Sequence, residues 1–386
     1  MVAWLFSDIG LEDETMPLMP SRLTPILLLA AALPGLGRAD EVGDLKLSLW
    51  ERTVNLRGAF GYKDNVLLSH TQREASPFWQ SALDFSLIRA ALDDGPSVTF
   101  FLTGEDRRYF SSSEVEKEQL ILSQAKFTQE ISSEWALGGL AQYLYADQVF
   151  DASATEQFIQ ALKVKSHNIQ FAPFVTRSLP GKMELELKFT GERQLFNEPL
   201  DDYWEIGPQL TWTKQYGHRS SAALSYTYDD RRYDTRRQLD LAFQPVENSS
   251  LRFDQHEFEG VINHSWDARR RWRSRARFLF EVNQDNGSGY YDYYRYRFSQ
   301  RFGYYSKSWQ ATVEGKVLHY DYQRQPVPGT AELRQVWEYV AGLHLEKTIW
   351  NQLKIFADTE HEIVKSNYQV EEYWVNTLMG GVDWEF

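Results

Sequence analysis

From residue 53 to the carboxyl terminus, apolar and polar side chains alternate in a long succession of segments. In 272–286 one set of alternate positions holds Ala276, Phe278, Phe280 and Val282, and the other holds Arg273, Arg275, Arg277, Glu281 and Asn283. In 290–305 the sets are Tyr294, Tyr296, Phe298, Phe302 and Tyr304 against Tyr293, Arg295, Arg297, Ser299 and Arg301. Period two is the repeat of a β-strand, whose successive side chains point to opposite faces. A strand with one apolar and one charged face is expected to divide hydrocarbon from water.

The same pattern predicts strands at 53–66, 78–92, 97–110, 116–131, 134–150, 157–179, 182–196, 203–216, 219–233, 251–266, 272–286, 290–305, 309–324, 334–349, 352–366 and 371–386. Their connections alternate in length. Short turns are expected at Asp93-Asp94-Gly95-Pro96, Ser132-Ser133, Pro180-Gly181-Lys182, Tyr216-Gly217-His218, Ala268-Arg269-Arg270, Ser306-Lys307-Ser308 and Ile349-Trp350-Asn351. Longer polar connections include Glu192–Asp202, Asp234–Ser250 and Gln325–Leu333. Alternating short and long connections suit a barrel with tight periplasmic turns and longer extracellular loops. The expected fold is all-β: a transmembrane antiparallel up-and-down β-barrel of about sixteen strands, within a range of 14 to 18. These segments exceed the ~9–11 residues a strand needs to cross a bilayer, so the barrel should project beyond it.

The last strand carries the alternation to its end, with Leu378, Gly380, Val382, Trp384 and Phe386 on one face and Asp383 and Glu385 on the other. A terminal phenylalanine on such a strand resembles the signal by which the assembly machinery of bacterial outer membranes recognises its clients. The resemblance implies an outer-membrane, porin-like barrel, with the barrel-assembly machinery, outer-membrane lipid and lipopolysaccharide as partners. The first strand contains Gly61-Tyr62-Lys63-Asp64-Asn65. This resembles the opening of several barrels encoded with exopolysaccharide or cell-surface pathways. A strand end with Asp-Asn in the following turn explains the same residues without a family link.

At the amino terminus, Arg22 precedes the apolar run Pro25–Leu33, followed by small residues at Gly37 and Ala39. This is the layout of a cleaved secretory signal peptide over 1–39. The acidic stretch Met1–Thr15 does not belong to such a signal, so Met16 or Met19 is the expected start. Residues 40–52 would form a short periplasmic segment and 53–386 the barrel.

Composition narrows the class further. The chain has 386 residues, with 13 Trp, 21 Tyr and 23 Phe, enough to supply aromatic girdles at both membrane interfaces. No window reaches the ~20 apolar residues of a membrane-crossing helix. A net charge of −13 disfavours a nucleic-acid partner. Cysteine is absent, which excludes disulfides and thiolate metal sites.

Strand parity assigns the remaining candidate chemistry. A basic patch of Arg273, Arg275, Arg277, Arg295, Arg297 and Arg301 is expected on the inward faces of two adjacent strands, with Arg275 near Arg301 and Arg277 near Ser299. Inward carboxylates are expected at Glu184, Glu186, Glu257, Glu259, Glu338, Glu346, Asp358, Glu360 and Glu362. Two arrangements fit: basic and acidic walls facing each other across a water-filled channel, or interdigitated ion pairs that close a narrower lumen. About sixteen strands favour the open channel, and the long connection Asp234–Ser250 could fold inward as a constriction.

The eight histidines show no compact metal spacing. His218-Arg219-Ser220 falls at a turn, and His264 and Ser265 point to opposite faces. His344 beside Glu346, with Asp358, Glu360 and Glu362 nearby, is the nearest approach to acid–base chemistry. The expectation is therefore no enzyme, no cofactor and no metal, but passage of small hydrophilic or charged solutes. The alternatives are an accessory barrel for polysaccharide export, with Tyr293, Tyr320 and Tyr322 as sugar platforms, and a plugged structural or enzymatic barrel. Nothing in the sequence identifies the solute or a subunit interface.

Overall fold

The computed structural model describes residues 50–90, 95–151, 161–197, 199–217 and 219–386. The expected signal peptide, the segment 40–49, Asp93, Asp94, the strand residues 157–160 and His218 lie outside the described residues.

Sixteen strands follow one another: β1 (Trp50–Lys63), β2 (Ser76–Arg89), β3 (Ser97–Tyr109), β4 (Lys117–Glu130), β5 (Trp135–Asp151), β6 (Ala161–Leu179), β7 (Met183–Phe196), β8 (Tyr203–Tyr216), β9 (Ser220–Tyr233), β10 (Arg252–Ser265), β11 (Trp272–Asp285), β12 (Tyr293–Tyr305), β13 (Trp309–Pro326), β14 (Leu333–Trp350), β15 (Leu353–Ser366) and β16 (Tyr373–Glu385). Each pairs antiparallel with the next, and β16 pairs with β1, so the sheet is a closed barrel. Closure satisfies every strand edge, which hydrocarbon requires.

The outward face is apolar. Phe60, Phe171, Leu224 and Leu378 are each 59–63% exposed. A barrel in water would leave this belt unsatisfied; in lipid it is the matching surface. Turns at the end that carries Phe386 are tight, as between β6 and β7, where Pro180-Gly181-Lys182 turns with φ of 83° at Gly181. The opposite end carries the longer loops, including Asp234–Leu251.

Differences from the sequence reading are local. β1 begins at Trp50, three residues inside the expected periplasmic segment. The connection expected at Glu192–Asp202 starts only after Phe196, because Glu192 and Gln194 are buried inward positions of β7. Polar side chains on the wet face of a strand look like a loop when polarity is taken for exposure. The turn expected at Ala268–Arg270 spans 266–271, and β14 continues to Trp350.

At the loop end, side chains pack inside the mouth. Leu239 and Leu251 of the long β9–β10 connection join Tyr203, Tyr233, Phe253 and Tyr291 in one cluster. The Arg236 guanidinium lies 4.5 Å from the Tyr291 ring centroid. The connection thus returns against the inner wall. Val66 packs with Phe78, Tyr109 and Val115, and Leu68 against the cluster that holds Tyr293, Tyr320 and Tyr322. The Asp64-Asn65 pair after β1 holds the first strand and its loop to the last strand. Asp64 accepts from the Asn376 backbone N at 2.7 Å, and Asn65 Nδ2 donates to the Trp374 and Ser69 carbonyls, each at 3.0 Å. These bonds tie the motif to the last strand as well as to its own loop.

Candidate functional site: the charged inner wall

The six arginines share the inward face of β11 and β12. Arg275 stands directly opposite Arg301, and Arg277 opposite Ser299. A ladder that sets guanidiniums side by side needs counter-charge, and neighbouring strands provide it. Arg277 is ion-paired with Glu259 and Arg295 with Glu281. Glu257 lies 3.6 Å from Arg295, and Arg301 Nη2 is 2.7 Å from Glu314 Oε2. Arg273 donates to the Arg270 carbonyl at 2.9 Å and covers the Tyr305 ring at 4.4 Å. Arg297 sits between Leu279 and Leu318 in the ladder.

The carboxylates also face inward. Glu338 pairs with Lys316 at 2.7 Å, Glu346 with Lys354 at 3.4 Å, and Asp358 with His344. Glu362 accepts the Tyr373 hydroxyl at 2.7 Å. Glu360 stands between Gly342 and Thr377, and Glu184 and Glu186 stand opposite Thr213 and Thr211. Glu360, midway along β15, is exposed, which requires open space beside the wall there, whereas the exposed Glu184 stands at the turn rim of β7. Across β10–β15, then, opposite charges interleave on adjacent strands rather than facing each other from separate walls. Their fields are local, and the wall alternates in sign along its circumference.

Several inward charges escaped the sequence reading. Arg57 pairs with Asp383 at 3.1 Å across the closing seam, Arg107 and Lys63 converge on Glu118 at 3.3 and 3.7 Å, and Arg231 pairs with Glu205 at 2.6 Å. Strand parity held the signal, since Arg57 alternates with the lipid-facing Leu56 and Phe60. These residues come one or two to a strand, so a search for clusters passes over them.

The expected assembly-signal residues share the lipid face: Leu378, Val382, Trp384 and Phe386 are 40–59% exposed, and the Trp384 and Phe386 rings stack at 5.4 Å. Tyr293, Tyr320 and Tyr322 face inward but are packed against one another. Ser220 accepts the Ser265 backbone N at 3.1 Å, and His264 stacks on Tyr216. Among the described residues no group of three or more His, Asp or Glu side chains is placed to hold a metal ion.

A closed antiparallel barrel, apolar outside and charged within, defines a porin-like β-barrel of the bacterial outer membrane. No protein-family model matches the sequence, and no curated protein matches it. Among solved structures it is similar to OccAB3 of Acinetobacter baumannii, at 9% identity over 88% of this chain and 100% of that one, with a TM-score of 0.47. It is similar to the outer membrane protein opdK of Pseudomonas aeruginosa at 8% identity, covering 87% and 99%, with a TM-score of 0.47. A BenF-like porin from Pseudomonas fluorescens Pf-5 gives 7% identity, 88% and 100% coverage, and a TM-score of 0.47.

Proposed function

We propose that the barrel is a channel passing small hydrophilic or charged solutes across the outer membrane. The carrying observation is that an inward mid-strand carboxylate, Glu360, is exposed on the inside of a closed sixteen-strand wall. Barrels of this size leave room for water, while small barrels fill their interior with side chains. A wall of alternating charge favours solutes that exchange their hydration for polar contacts on several sides. Single-channel recording of the purified protein in a planar bilayer tests the reading. Stable, ion-selective steps are expected. Silence from correctly folded protein would overturn it.

A further inference from the structure

At mid-height on the outside of β12, one position breaks the apolar belt. Gln300 lies outward between Phe298 and Phe302, which face lipid at 49% and 42% exposure. Four residues towards the loops, roughly 13 Å along the strand, Tyr296 lines up with His319 and Trp337 in one stacked row. Four residues towards the turns, Tyr304 packs against Trp272. Aromatic rows of this kind mark the two membrane interfaces. The Gln300 amide is therefore near the centre of the hydrocarbon. On β11–β14 its outward neighbours between the two rows are aromatic, aliphatic or small.

Gln300 is half-met by its own strand. Its Nε2 donates to the Arg301 carbonyl at 2.9 Å, which leaves the second N–H and the Oε1 lone pairs without a partner among the described residues. Lipid tails offer neither donor nor acceptor, so an amide at this depth finds its remaining bonds only on protein. The surface around it is low. Ala276 of β11 stands opposite Gln300 on one side, and Gly315 of β13, then Ala341 of β14, on the other. A Cβ added at Gly315 would meet nothing within 4 Å. This row is a shallow furrow, with Phe298 and Val317 along its upper edge and Phe302 and Val313 along its lower one.

We propose that the furrow is the docking face for a second copy of this chain, related by a two-fold axis along the membrane normal that brings the two Gln300 amides together. A carboxamide carries both donors and acceptors, so two of them are self-complementary. A copy in the same orientation presents its own Gln300 at the same depth by symmetry, and an isologous contact needs no further height matching. Small residues let the two walls approach closely, as they do between transmembrane helices. A second patch of small outward residues, Ser123, Ala125 and Ala141 on β4 and β5, has no amide, so the furrow is singled out by Gln300 and not by its flatness. The contact lies outside the lumen and does not depend on whether solutes pass through it.

The test uses the full barrel in liposomes over a range of protein-to-lipid ratios. The chain has no cysteine, so Leu241→Cys, at an 84% exposed position of the β9–β10 connection, takes a single fluorophore, and copies per spot are counted from photobleaching steps. Pairs are expected for this labelled parent. Gln300→Leu, which removes the amide and keeps its bulk, should move the midpoint of pairing to about tenfold higher protein density. Gly315→Leu, which fills the furrow, should act in the same direction, while Ala125→Leu on the other patch should leave the midpoint in place. A parent that stays single across the range overturns the proposal, as do clusters of three or a Gln300→Leu variant that pairs like the parent. Heat-modifiable migration on a gel checks that each variant is folded. Should Gly315→Leu fail to assemble, Gln300→Leu carries the comparison alone, since leucine suits a lipid-facing site.

Discussion

In the closing seam between β1 and β16, Gly381 sits where backbone leaves no room for a side chain. Gly381 of β16 lies directly opposite Ala59 of β1 in a seam that runs only from Asn55↔Glu385 to Lys63↔Thr377, shorter than the β1–β2 ladder. A Cβ added at Gly381 would stand 2.1 Å from the Gly58 carbonyl oxygen and 2.8 Å from Ala59 Cα. Ordinary contact begins near 3.4 Å, so the strands would have to separate by 3.4 − 2.1 = 1.3 Å at that point. A ladder bond of about 2.9 Å stretched by even half that amount no longer qualifies as a hydrogen bond.

Losing the two nearest bonds costs about 1 kcal/mol each, and the displaced packing adds a comparable amount, so Gly381→Ala should destabilise the barrel by roughly 2–4 kcal/mol. Gly342 of β14 is the control. Its added Cβ meets nothing nearer than the Thr359 carbonyl at 3.8 Å, so Gly342→Ala should shift stability by less than about 0.5 kcal/mol. Both variants are compared by urea unfolding in liposomes, followed by tryptophan fluorescence, and by the temperature at which the fast-migrating folded band disappears on a gel. Gly381→Ala melting with Gly342→Ala and the wild type would refute the tight-seam argument.

Three further outcomes are expected. Replacing Arg275, Arg297 and Arg301 by Glu should move the reversal potential in a salt gradient towards cation selectivity, because three inward charges reverse and Glu314 loses its partner; an unchanged potential would remove these residues from the ion pathway. Deleting Phe386 should lower the yield of heat-modifiable barrel in outer membranes, since its backbone N donates to the Val54 carbonyl at 2.8 Å and its ring extends the lipid face; normal assembly would count against a terminal signal. In the β9–β10 connection, the hydrogen bond from Arg193 holds the Asp234 carboxyl below its usual range. A depressed carboxylate stabilises the fold above the unfolded value of about 3.9 and loses that contribution as pH falls through the folded value. Amide exchange in 234–251 should therefore quicken below about pH 4 in the wild type, and Asp234→Asn should abolish that step; identical profiles would sink the linkage.

The fold was legible because lipid and water impose opposite demands on successive residues. Ala276-Arg277-Phe278 has no reading other than a strand with two environments, and the structure sets those side chains on opposite faces. Boundaries failed where one demand relaxes. Near the rims the outward face is polar too, so Glu192 and Arg193 together lose the alternation although both are strand. Parity assigns the six arginines and nine carboxylates to inward positions, yet it cannot tell which charge touches which. Pairing depends on register, and register is set across strands rather than along them.

Register also explains why the charges interleave. The turn between β10 and β11 places Glu259 within reach of Arg277, and the loop between β11 and β12 sets Glu281 opposite Arg295. A one-residue slip of β11 would turn every arginine on it towards lipid, where a charged side chain costs about 2–4 kcal/mol at mid-depth. The ion pairs are thus a register lock as well as the lining of the proposed channel. The two roles separate experimentally: Lys316 and Glu338, which pair at 2.7 Å on β13 and β14, can be exchanged for one another so that the pair and the register persist while the local sign pattern inverts. A channel that discriminates by local charge should change its selectivity under that swap, and its unfolding midpoint should not move.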